Sequence, residues 1–320
     1  MRISVTVFLT DETVRPPALA RELEERGFHG LYLPEHTHIP VSRDTPAPMG
    51  EPLPREYGRT LDPFVALGQA AAVTERLALG TGITLVAQHD PIVLAKQVAT
   101  LDFLSGGRFT LGVGFGWNAE EADDHGVEWH SRRELGRRRM GLMNALWAPE
   151  PTAYDSDEAE DTHKDEAEDT HKDEAEDTDN AAEDAAGGSA PRTAVRASEA
   201  HPKPVQAPRH RKGAPPLHGP RTLLGGRPGP KLFAHVAEYA DGWMPIGGGG
   251  LTDSIPRLRQ AWEDAGRDPG ALEVVPYAVR PSEGKLAYFA AQGVRETVVQ
   301  LPPAGETEVL RALDAYAQFL

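Results

Sequence analysis

Residues 77–118 constrain the fold of this chain more than any other stretch, because they contain a strand, a helix and a second strand in about forty residues. Leu77–Thr84 is apolar and β-branched, which is typical of a buried strand. An Asp-Pro pair at 90–91 provides an N-cap and a first-turn proline for the helix that follows. Phe109–Val113 is the second strand. A strand, a helix and a strand in this order predict a parallel βαβ unit.

Both strands of this unit run into glycines at their carboxyl ends, where parallel α/β folds bind their ligands. The run Gly112-x-Gly114-x-Gly116 lacks the G-x-G-x-x-G spacing of a dinucleotide fingerprint and does not follow the first strand. Two interpretations remain for these glycines. They allow a ligand to approach the backbone closely, or they form a tight turn alone.

The rest of the chain repeats the alternation of strand and helix, which gives eight strands in total. Eight βα units predict an α/β fold of the (β/α)8 TIM-barrel type, and a doubly wound sheet is the alternative. The predicted strands are Arg2–Leu9, Phe28–Pro34, Leu77–Thr84, Phe109–Val113, Thr222–Gly226, Gly242–Ile246, Leu272–Val279 and Glu296–Leu301.

An acidic insertion separates the fourth predicted strand from the fifth. Residues 157–178 repeat the octapeptide Asp-Glu-Ala-Glu-Asp-Thr-His-Lys, with the third copy cut short, and a Pro-, Ala- and Arg-rich stretch follows. Dense charge and low hydrophobicity predict disorder there. We therefore divide the chain into a first half-barrel at 1–150, an insertion at 151–219 and a second half-barrel at 220–320.

Charge and composition narrow the classes of function. Of the net charge of −16, residues 155–185 carry −14 and the remainder only −2, so no basic footprint for nucleic acid is present. The chain has no cysteine, hence no disulfide framework and no thiolate metal site. Its first residues lack a signal-peptide pattern, and no run reaches about 18 apolar residues. We expect a cytoplasmic protein with no membrane or nucleic-acid partner.

Two histidine features allow a functional and a structural interpretation. Glu35 and His36 directly follow the second strand, on the face where barrel active sites form. His36 either acts on a proton or an electron-rich ring, or only hydrogen-bonds the loop backbone. His163 and His171 lie among the repeated carboxylates, where a solvated charge run is favoured over a metal site.

Other polar patterns concern helix ends and anions. Asn118 with Glu121, and Ser131 with Glu134, have the spacing of capping boxes. The arginines between 132 and 139 favour a solvated helix face over contact with an anionic cofactor tail. Gly225-Gly226-Arg227 precedes a helix and resembles a backbone cradle for phosphate, although Pro228 and Pro230 remove two amide donors from it.

Several blocks together resemble the luciferase-like monooxygenase family, and especially its deazaflavin (coenzyme F420)-dependent oxidoreductases. The most specific block is Leu104-Ser-Gly-Gly-Arg-Phe-Thr-Leu-Gly-Val-Gly-Phe-Gly-Trp-Asn118. The other blocks are Glu22–Gly30 with Leu33–His36, Leu77–Ile83, Asp90–Asp102, Pro202–Gln206, Gly225-Gly226 and Ala240–Trp243.

The resemblance implies a barrel that binds a flavin or deazaflavin at its carboxyl-terminal face. It implies a bulge at Gly82-Ile83, often with a non-prolyl cis bond, behind the ring, Glu35 and His36 beside the ring, and the 225–227 segment at the phosphate. The expected cofactor-binding residues are Glu35, His36, Gly82, Ile83, Thr84, Gly114, Gly116, Trp117, Asn118, Gly225, Gly226 and Arg227.

This chain departs from the family pattern at two places. Sugar-phosphate dehydrogenases of the family carry a glutamate where Trp117 stands, and the acidic repeat replaces the usual lid. We expect hydride transfer between coenzyme F420 and a small organic substrate, with His36 as the catalytic residue, no metal, and a homodimer. The alternatives are a monooxygenase that uses reduced FMN and oxygen, and a catalytically silent cofactor-binding or interaction protein.

Overall fold

In the computed structural model, which describes residues 1–149 and 219–320, parallel strands form one curved sheet with helices on its outside. The strands are β1 Arg2–Thr6, β2 Gly30–Leu33, β3 Ala78–Thr81, β4 Thr84–Leu85, β5 Phe109–Gly114, β6 Arg221–Gly225, β7 Gly242–Met244, β8 Glu273–Val274 and β9 Glu296–Gln300. The helices are α1 Pro16–Arg26, α2 Pro63–Ala71, α3 Pro91–Ser105, α4 Ala119–Asp124, α5 Arg132–Trp147, α6 Pro230–Tyr239, α7 Leu251–Asp264, α8 Glu283–Ala291 and α9 Glu306–Ala317. Short 3-10 turns cover Arg55–Arg59 and Val86–Gln88.

The sheet closes on itself between β9 and the segment after β8. On one side β9 pairs with β1, with Val5 opposite Val299. On the other side the Val279 amide donates to the Val298 carbonyl at 3.0 Å, and the Gln300 amide donates to the Val279 carbonyl at 2.9 Å. The predicted (β/α)8 barrel is therefore confirmed, and the doubly wound alternative is excluded. The predicted insertion, apart from its last residue, lies outside the described residues.

The third predicted strand is divided in two. It leaves the ladder after Thr81 and resumes at Thr84, where it pairs with β5 opposite Val113. Between the two pieces the Gly82–Ile83 peptide bond is cis, as the family resemblance implied. This break turns a continuous apolar strand into a bulge at its carboxyl end.

Helix caps show which local signals were correct. Asp90 accepts hydrogen bonds from the amides of Ile92 and Val93, at 3.0 and 2.9 Å, and Gly106 ends α3 with a φ of 73°. The predicted cap at Ser131 is wrong. That residue already has helical angles, and its hydroxyl donates to the Glu128 carbonyl at 3.2 Å instead of accepting from α5.

Arg108, the arginine of the most specific sequence block, lies at the amino-terminal end of β5. Its guanidinium donates to the carbonyls of Ser105, Leu77 and Thr74 at 2.6, 2.5 and 2.9 Å. These bonds join the ends of α2 and α3 to the sheet. The block's arginine is thus structural, since ligands bind at the opposite end of such barrels.

The core lies between the sheet and the helices, and α3 shows how its pattern produces burial. Leu94, Val98 and Leu101 on its inner face are buried, as their spacing predicts. Val93 and Phe103 on its outer face are exposed. In the described part of the chain, no helix combines the length and the apolar character that crossing a bilayer requires.

Candidate active site at the carboxyl ends of the strands

Ile83 forms part of the floor at the carboxyl ends of β3 to β6. Its half-buried side chain occupies space that only glycines on the neighbouring strands leave open. A Cβ atom at Gly225 would lie 3.0 Å from Ile83 Cγ2, and one at Gly114 would overlap the Ile83 side chain. Gly82 is similarly required, because a Cβ there would overlap the ring of Tyr277. The strand-end glycines therefore make room for the bulge.

Glu35 holds the strand that follows the bulge. Its buried carboxylate accepts a hydrogen bond from the Leu85 amide at 2.7 Å through Oε2. Its Oε1 lies 2.8 Å from Nε2 of His89. Burial alone would lower the pKa of His89, but the hydrogen bond and the charge of Glu35 outweigh it and raise that pKa. Both Glu35 oxygens are thus engaged with the protein, which makes Glu35 a support for the bulge.

His36 is paired with Glu121, one of the two acidic residues in the first turn of α4. Nδ1 of His36 lies 3.1 and 3.0 Å from the two carboxylate oxygens of Glu121. The side chains are 7% and 0% exposed, respectively. The sequence predicted that Glu121 would close a capping box with Asn118. Asn118 does cap α4, accepting from the amides of Glu120 and Glu121, but the Glu121 carboxylate turns to His36 instead.

Aromatic rings surround the imidazole of His36. The ring centroids of His36, Tyr57 and Trp117 form a triangle with sides of 5.4, 5.9 and 6.4 Å. Phe8 extends the group, 4.5 Å from Tyr57. Burial is the main cause that raises the pKa of Tyr57, so this phenol stays protonated at neutral pH. Among these contacts of His36, Glu121 is the ionic neighbour and the others are aromatic rings.

Charged side chains near this aromatic group are already paired. The Arg43 guanidinium lies 5.9 Å from the Trp117 ring centroid and donates through Nη2 to Glu51 at 2.8 Å. Glu120 accepts from the backbone amide of Thr45 at 3.0 Å. These contacts fix the loop before α2 onto α4.

Some buried polar atoms at the same end have no hydrogen-bond partner among the described residues. They are Oγ1 of Thr84, Nδ2 of Asn118 and Oε1 of Gln88. The first two residues are 0% and 1% exposed. Thr84 pairs with β5 beside the bulge, so these atoms lie around the ends of adjacent strands. A donor and acceptors left unsatisfied in this way are available to a polar ligand.

The segment after β6 has the backbone of an anion cradle with reduced donor capacity. Gly226 adopts a φ of 146°, and its carbonyl accepts from Nε1 of Trp243 at 3.0 Å. Arg227 is exposed, and α6 begins at Pro230. Because prolines at 228 and 230 lack an amide hydrogen, only the remaining amides at this helix start can bind a phosphate.

The arginines of α5 contact groups of this protein. Arg137 donates to Glu134 at 2.7 Å and to Glu238 at 3.0 Å, and Arg139 donates to the Val86 carbonyl at 3.2 Å. These two side chains are half-buried, not a freely solvated face. They are therefore less available to an anionic cofactor tail than a free guanidinium would be.

Two surface cavities, of about 350 and 330 Å³, lie at the opposite end of the barrel. Their lining includes Glu273 and Glu296 in one, and Arg2 and His29 in the other. The ionic groups there are paired, since Arg221 contacts Glu273 at 2.7 Å and Glu296 at 3.0 Å. We place the active site at the other end, because barrel enzymes carry their chemistry at the carboxyl ends of the strands.

Every predicted site residue lies at the carboxyl end of a strand or in the segment that follows one: Gly114 and Gly225 end β5 and β6, and Thr84 begins the short β4 beyond the bulge. The Ile83 side chain fills the space beside Gly114 and Gly225, and the imidazole of His36 packs against the indole of Trp117. Sequence reasoning missed Glu121 and Tyr57 as members of the site. Glu121 carried only a capping signal, and Tyr57 lay in a long loop with no periodic pattern.

Comparisons with known proteins identify the family of this chain. The family described as luciferase-like monooxygenase matches residues 15–282. An uncharacterized protein of Mycobacterium tuberculosis is 37% identical over 306 residues, which cover 94% of this chain and 92% of that protein.

Solved structures show the same fold at low identity. A monooxygenase from Streptomyces bottropensis superimposes with a TM-score of 0.66 and 18% identity, over 100% of this chain and 98% of that one. An F420-dependent secondary alcohol dehydrogenase, in complex with an F420-acetone adduct, gives a TM-score of 0.66 and 14% identity over the same shares.

Proposed function

Because the chain belongs to the luciferase-like monooxygenase family, we propose that it is an oxidoreductase that moves a hydride between coenzyme F420 and a small organic substrate. The observation that carries the proposal is the His36–Glu121 pair, held among aromatic rings at the ligand-binding end of the barrel. His36 is the proposed catalytic residue.

The residues at this end fit a flavin or deazaflavin. The Ile83 bulge provides an apolar support, and the unpartnered polar atoms of Thr84 and Asn118 match a ring edge that carries donors and acceptors. The amides that remain near Gly226 and Arg227 would meet the phosphate. The coenzyme, when bound, supplies the hydride, and the protein contributes positioning and electrostatics.

His36 would handle the proton that accompanies the hydride. Glu121 occupies Nδ1, so Nε2 is the ring nitrogen left for the substrate. In carbonyl reduction the doubly protonated ring would give its Nε2 proton to the substrate oxygen and become the neutral Nδ1–H form, and in alcohol oxidation that neutral form would accept the hydroxyl proton at Nε2. The carboxylate fixes the ring orientation and keeps the proton on Nδ1, as the orienting acid of a catalytic triad does.

A second candidate is a monooxygenase that uses reduced FMN and oxygen. The contacts of Arg137 and Arg139 favour it, because they leave fewer free cations for the long anionic tail of the deazaflavin. FMN carries a single phosphate, which the remaining amides after β6 would bind without a further cation. A silent cofactor-binding protein would bind either coenzyme without turnover.

Titration of the full chain with each coenzyme separates these functions. We expect the F420 dissociation constant to lie below that of FMN at physiological salt, followed by fluorescence. An equal or weaker F420 affinity would favour the monooxygenase. Tight binding of a coenzyme with no turnover of any carbonyl or alcohol, with or without oxygen, would favour the catalytically silent cofactor-binding protein.

We also propose that the chain forms a homodimer. Exposed apolar side chains on neighbouring helices support this: Val65 on α2, and Val93, Phe103 and Leu104 on α3, are 51–66% exposed. Light scattering of the wild type and of Leu104→Glu tests it. We expect the wild type to be a dimer and Leu104→Glu, which places a charge on this apolar face, to be a monomer. A monomeric wild type would contradict the proposal.

A further inference from the structure

We propose that the barrel binds the acidic repeat of its own chain, residues 157–178, at a cleft between β8 and β9 at its amino-terminal end. The cleft is the cavity of about 350 Å³ that Arg259 and Arg295 help to line. It lies at the opposite end of the barrel from the proposed coenzyme site, so this interaction does not depend on the proposed function. The repeat itself lies outside the described residues.

The cleft exists because the sheet is not continuous at this end. β8 pairs with β7 through Glu273 and Val274. Toward β9, the first backbone hydrogen bond among the described residues is donated by the Val298 amide to the Pro276 carbonyl at 2.8 Å. On the amino-terminal side of that bond, Glu273 and Val274 of one strand and Glu296 of the other line the cavity. The cleft is therefore a gap between two strands that a ligand can occupy.

The charges of the cleft favour an anionic ligand. Its two carboxylates are already neutralised, since Arg221 contacts Glu273 at 2.7 Å and Glu296 at 3.0 Å. Arg259 and Arg295 are exposed, and within the described part of the chain neither has a carboxylate oxygen within 4 Å. A guanidinium stays charged at neutral pH and binds a carboxylate through two parallel hydrogen bonds. The cleft therefore offers two cations to carboxylates from elsewhere.

A neighbouring cavity of about 330 Å³ extends this surface. Arg2 lines that cavity and contacts Glu296 of the cleft at 3.4 Å, so the two cavities are adjacent. Arg76 also lines it, is exposed, and has no carboxylate oxygen within 4 Å among the described residues. The carboxylate of Glu24 beside it accepts from the backbone amides of residues 75–77. An extended segment with several carboxylates can contact both cavities, which a single small anion cannot.

The two ends of the insertion lead to this surface. α5 ends at Trp147, and the chain returns at Gly219, where a Cβ atom would overlap the Trp147 ring. Two residues later, Arg221 begins β6 and contacts the carboxylates of the cleft. β8 lies two strands from β6, about 10 Å at the usual strand spacing. Asp155 lies eight residues after Trp147, and eight extended residues span up to about 26 Å.

Charge complementarity identifies the repeat as the occupant. Residues 155–185 carry a net charge of −14, and residues 186–218 carry only +5, so pairing within the insertion leaves most of the negative charge uncompensated. Because the repeat is tethered beside the cleft, its binding is intramolecular and benefits from a high effective concentration. Its successive copies present the same carboxylates, so more than one register can satisfy the arginines.

Paramagnetic relaxation in the full chain tests the docking. The chain has no cysteine, so Thr170→Cys, in the second copy of the repeat, carries a single nitroxide label. We expect the amides of Gly270 and Gly293, which line the cleft, to lose intensity until the nitroxide is reduced. The amide of Gly68 in α2 should keep its intensity. The loss should diminish between about 0.05 and 0.5 M NaCl, because the Debye length shortens from about 14 to about 4 Å.

Two double variants of the labelled chain show whether the arginines are responsible. Arg259→Ala with Arg295→Ala should restore the intensities of the Gly270 and Gly293 amides. Arg21→Ala with Arg311→Ala is the charge-matched control on exposed positions of α1 and α9, and it should leave the loss unchanged. Unchanged amide positions in the rest of the spectrum would show that both variants are folded.

Three results would overturn the proposal: no loss at the cleft amides, an equal loss at Gly68, or a loss that survives removal of Arg259 and Arg295. A mixture of chains that carry only the nitroxide with chains that carry only the isotope gives a further test. A loss in that mixture would assign the bound repeat to a second copy and contradict binding within one chain. None of these measurements uses a coenzyme, so their failure leaves the proposed function intact.

Discussion

Nδ1 of His36 lies 3.0 and 3.1 Å from the two carboxylate oxygens of Glu121, and this contact couples the end of β2 to the first turn of α4. The two residues are 85 positions apart in the chain. Glu121 lies four positions after Trp117, whose indole packs against the same imidazole at a centroid distance of 5.9 Å. One short segment after β5 therefore supplies both the ionic and an aromatic contact of His36.

Removing the Glu121 acceptor should disturb the His36 tautomer. In Glu121→Leu, Nδ1 loses its partner, so we expect the neutral ring to exchange between tautomers and turnover to fall about 10–100-fold, as for supporting residues of other sites. Histidine ¹⁵N chemical shifts of the coenzyme-free protein report the tautomer directly. Glu121→Gln keeps an oxygen acceptor and should retain the Nδ1–H form. Identical spectra for wild type and Glu121→Leu would exclude the positioning role.

Replacing His36 should slow the chemical step and spare coenzyme binding. A general acid–base role is worth about 10²–10⁴-fold in rate, so we expect His36→Ala to lose that factor in single-turnover hydride transfer. His38→Ala is the matched control, since His38 is a nearby histidine that contacts Asp124 at 2.9 Å. If His36→Ala instead lost coenzyme affinity and kept its rate at saturation, His36 would only support the loop.

The Glu35–His89 contact predicts a pH dependence of stability. The folded-state pKa of His89 is raised, so folding stabilises the imidazolium form. This contribution is fully present below the unfolded pKa of about 6.5 and is lost as pH rises through the folded-state pKa. Urea unfolding of wild type and His89→Gln should differ more near about pH 5.5 than near about pH 8.5. A difference that grew with pH would contradict the assignment.

Gly114→Ala tests whether the bulge at Gly82–Ile83 supports the ring of the bound coenzyme. The new methyl group would overlap the Ile83 side chain, which must then change its rotamer and its position under the ring. We expect a fall in coenzyme affinity with a retained fold, measured by fluorescence titration and circular dichroism. Gly68→Ala in α2 is the control, because a Cβ there meets no atom within 4 Å. Equal affinities in both variants would show that Ile83 does not support the coenzyme.

The barrel could be predicted from the sequence because its signals are local. Buried strands, Asp90 as an N-cap and the glycine stop at 106 each follow from neighbouring residues, and the structure contains all of them. The seventh predicted strand, Leu272–Val279, was harder to predict. Regular pairing covers only Glu273–Val274, and the contacts that close the barrel are made through Val279.

The site was only partly predictable because its contacts are long-range. Asn118 and Glu121 have capping spacing, and the sequence alone cannot reveal that Glu121 has a competing partner in His36. The same applies to Glu35, which the family resemblance implied to lie beside the ring. Its carboxylate oxygens contact Leu85 and His89, which are distant in the sequence. Tyr57 joins the site through a loop whose path no periodicity specifies.

Hydride transfer is measured in one anaerobic experiment, the single-turnover oxidation of reduced coenzyme F420 on the wild-type protein by a simple ketone such as acetophenone. We expect a saturable absorbance change without oxygen, with alcohol formed in the same amount as oxidised coenzyme. Oxidation that required oxygen, or that proceeded with reduced FMN and not with F420, would contradict it.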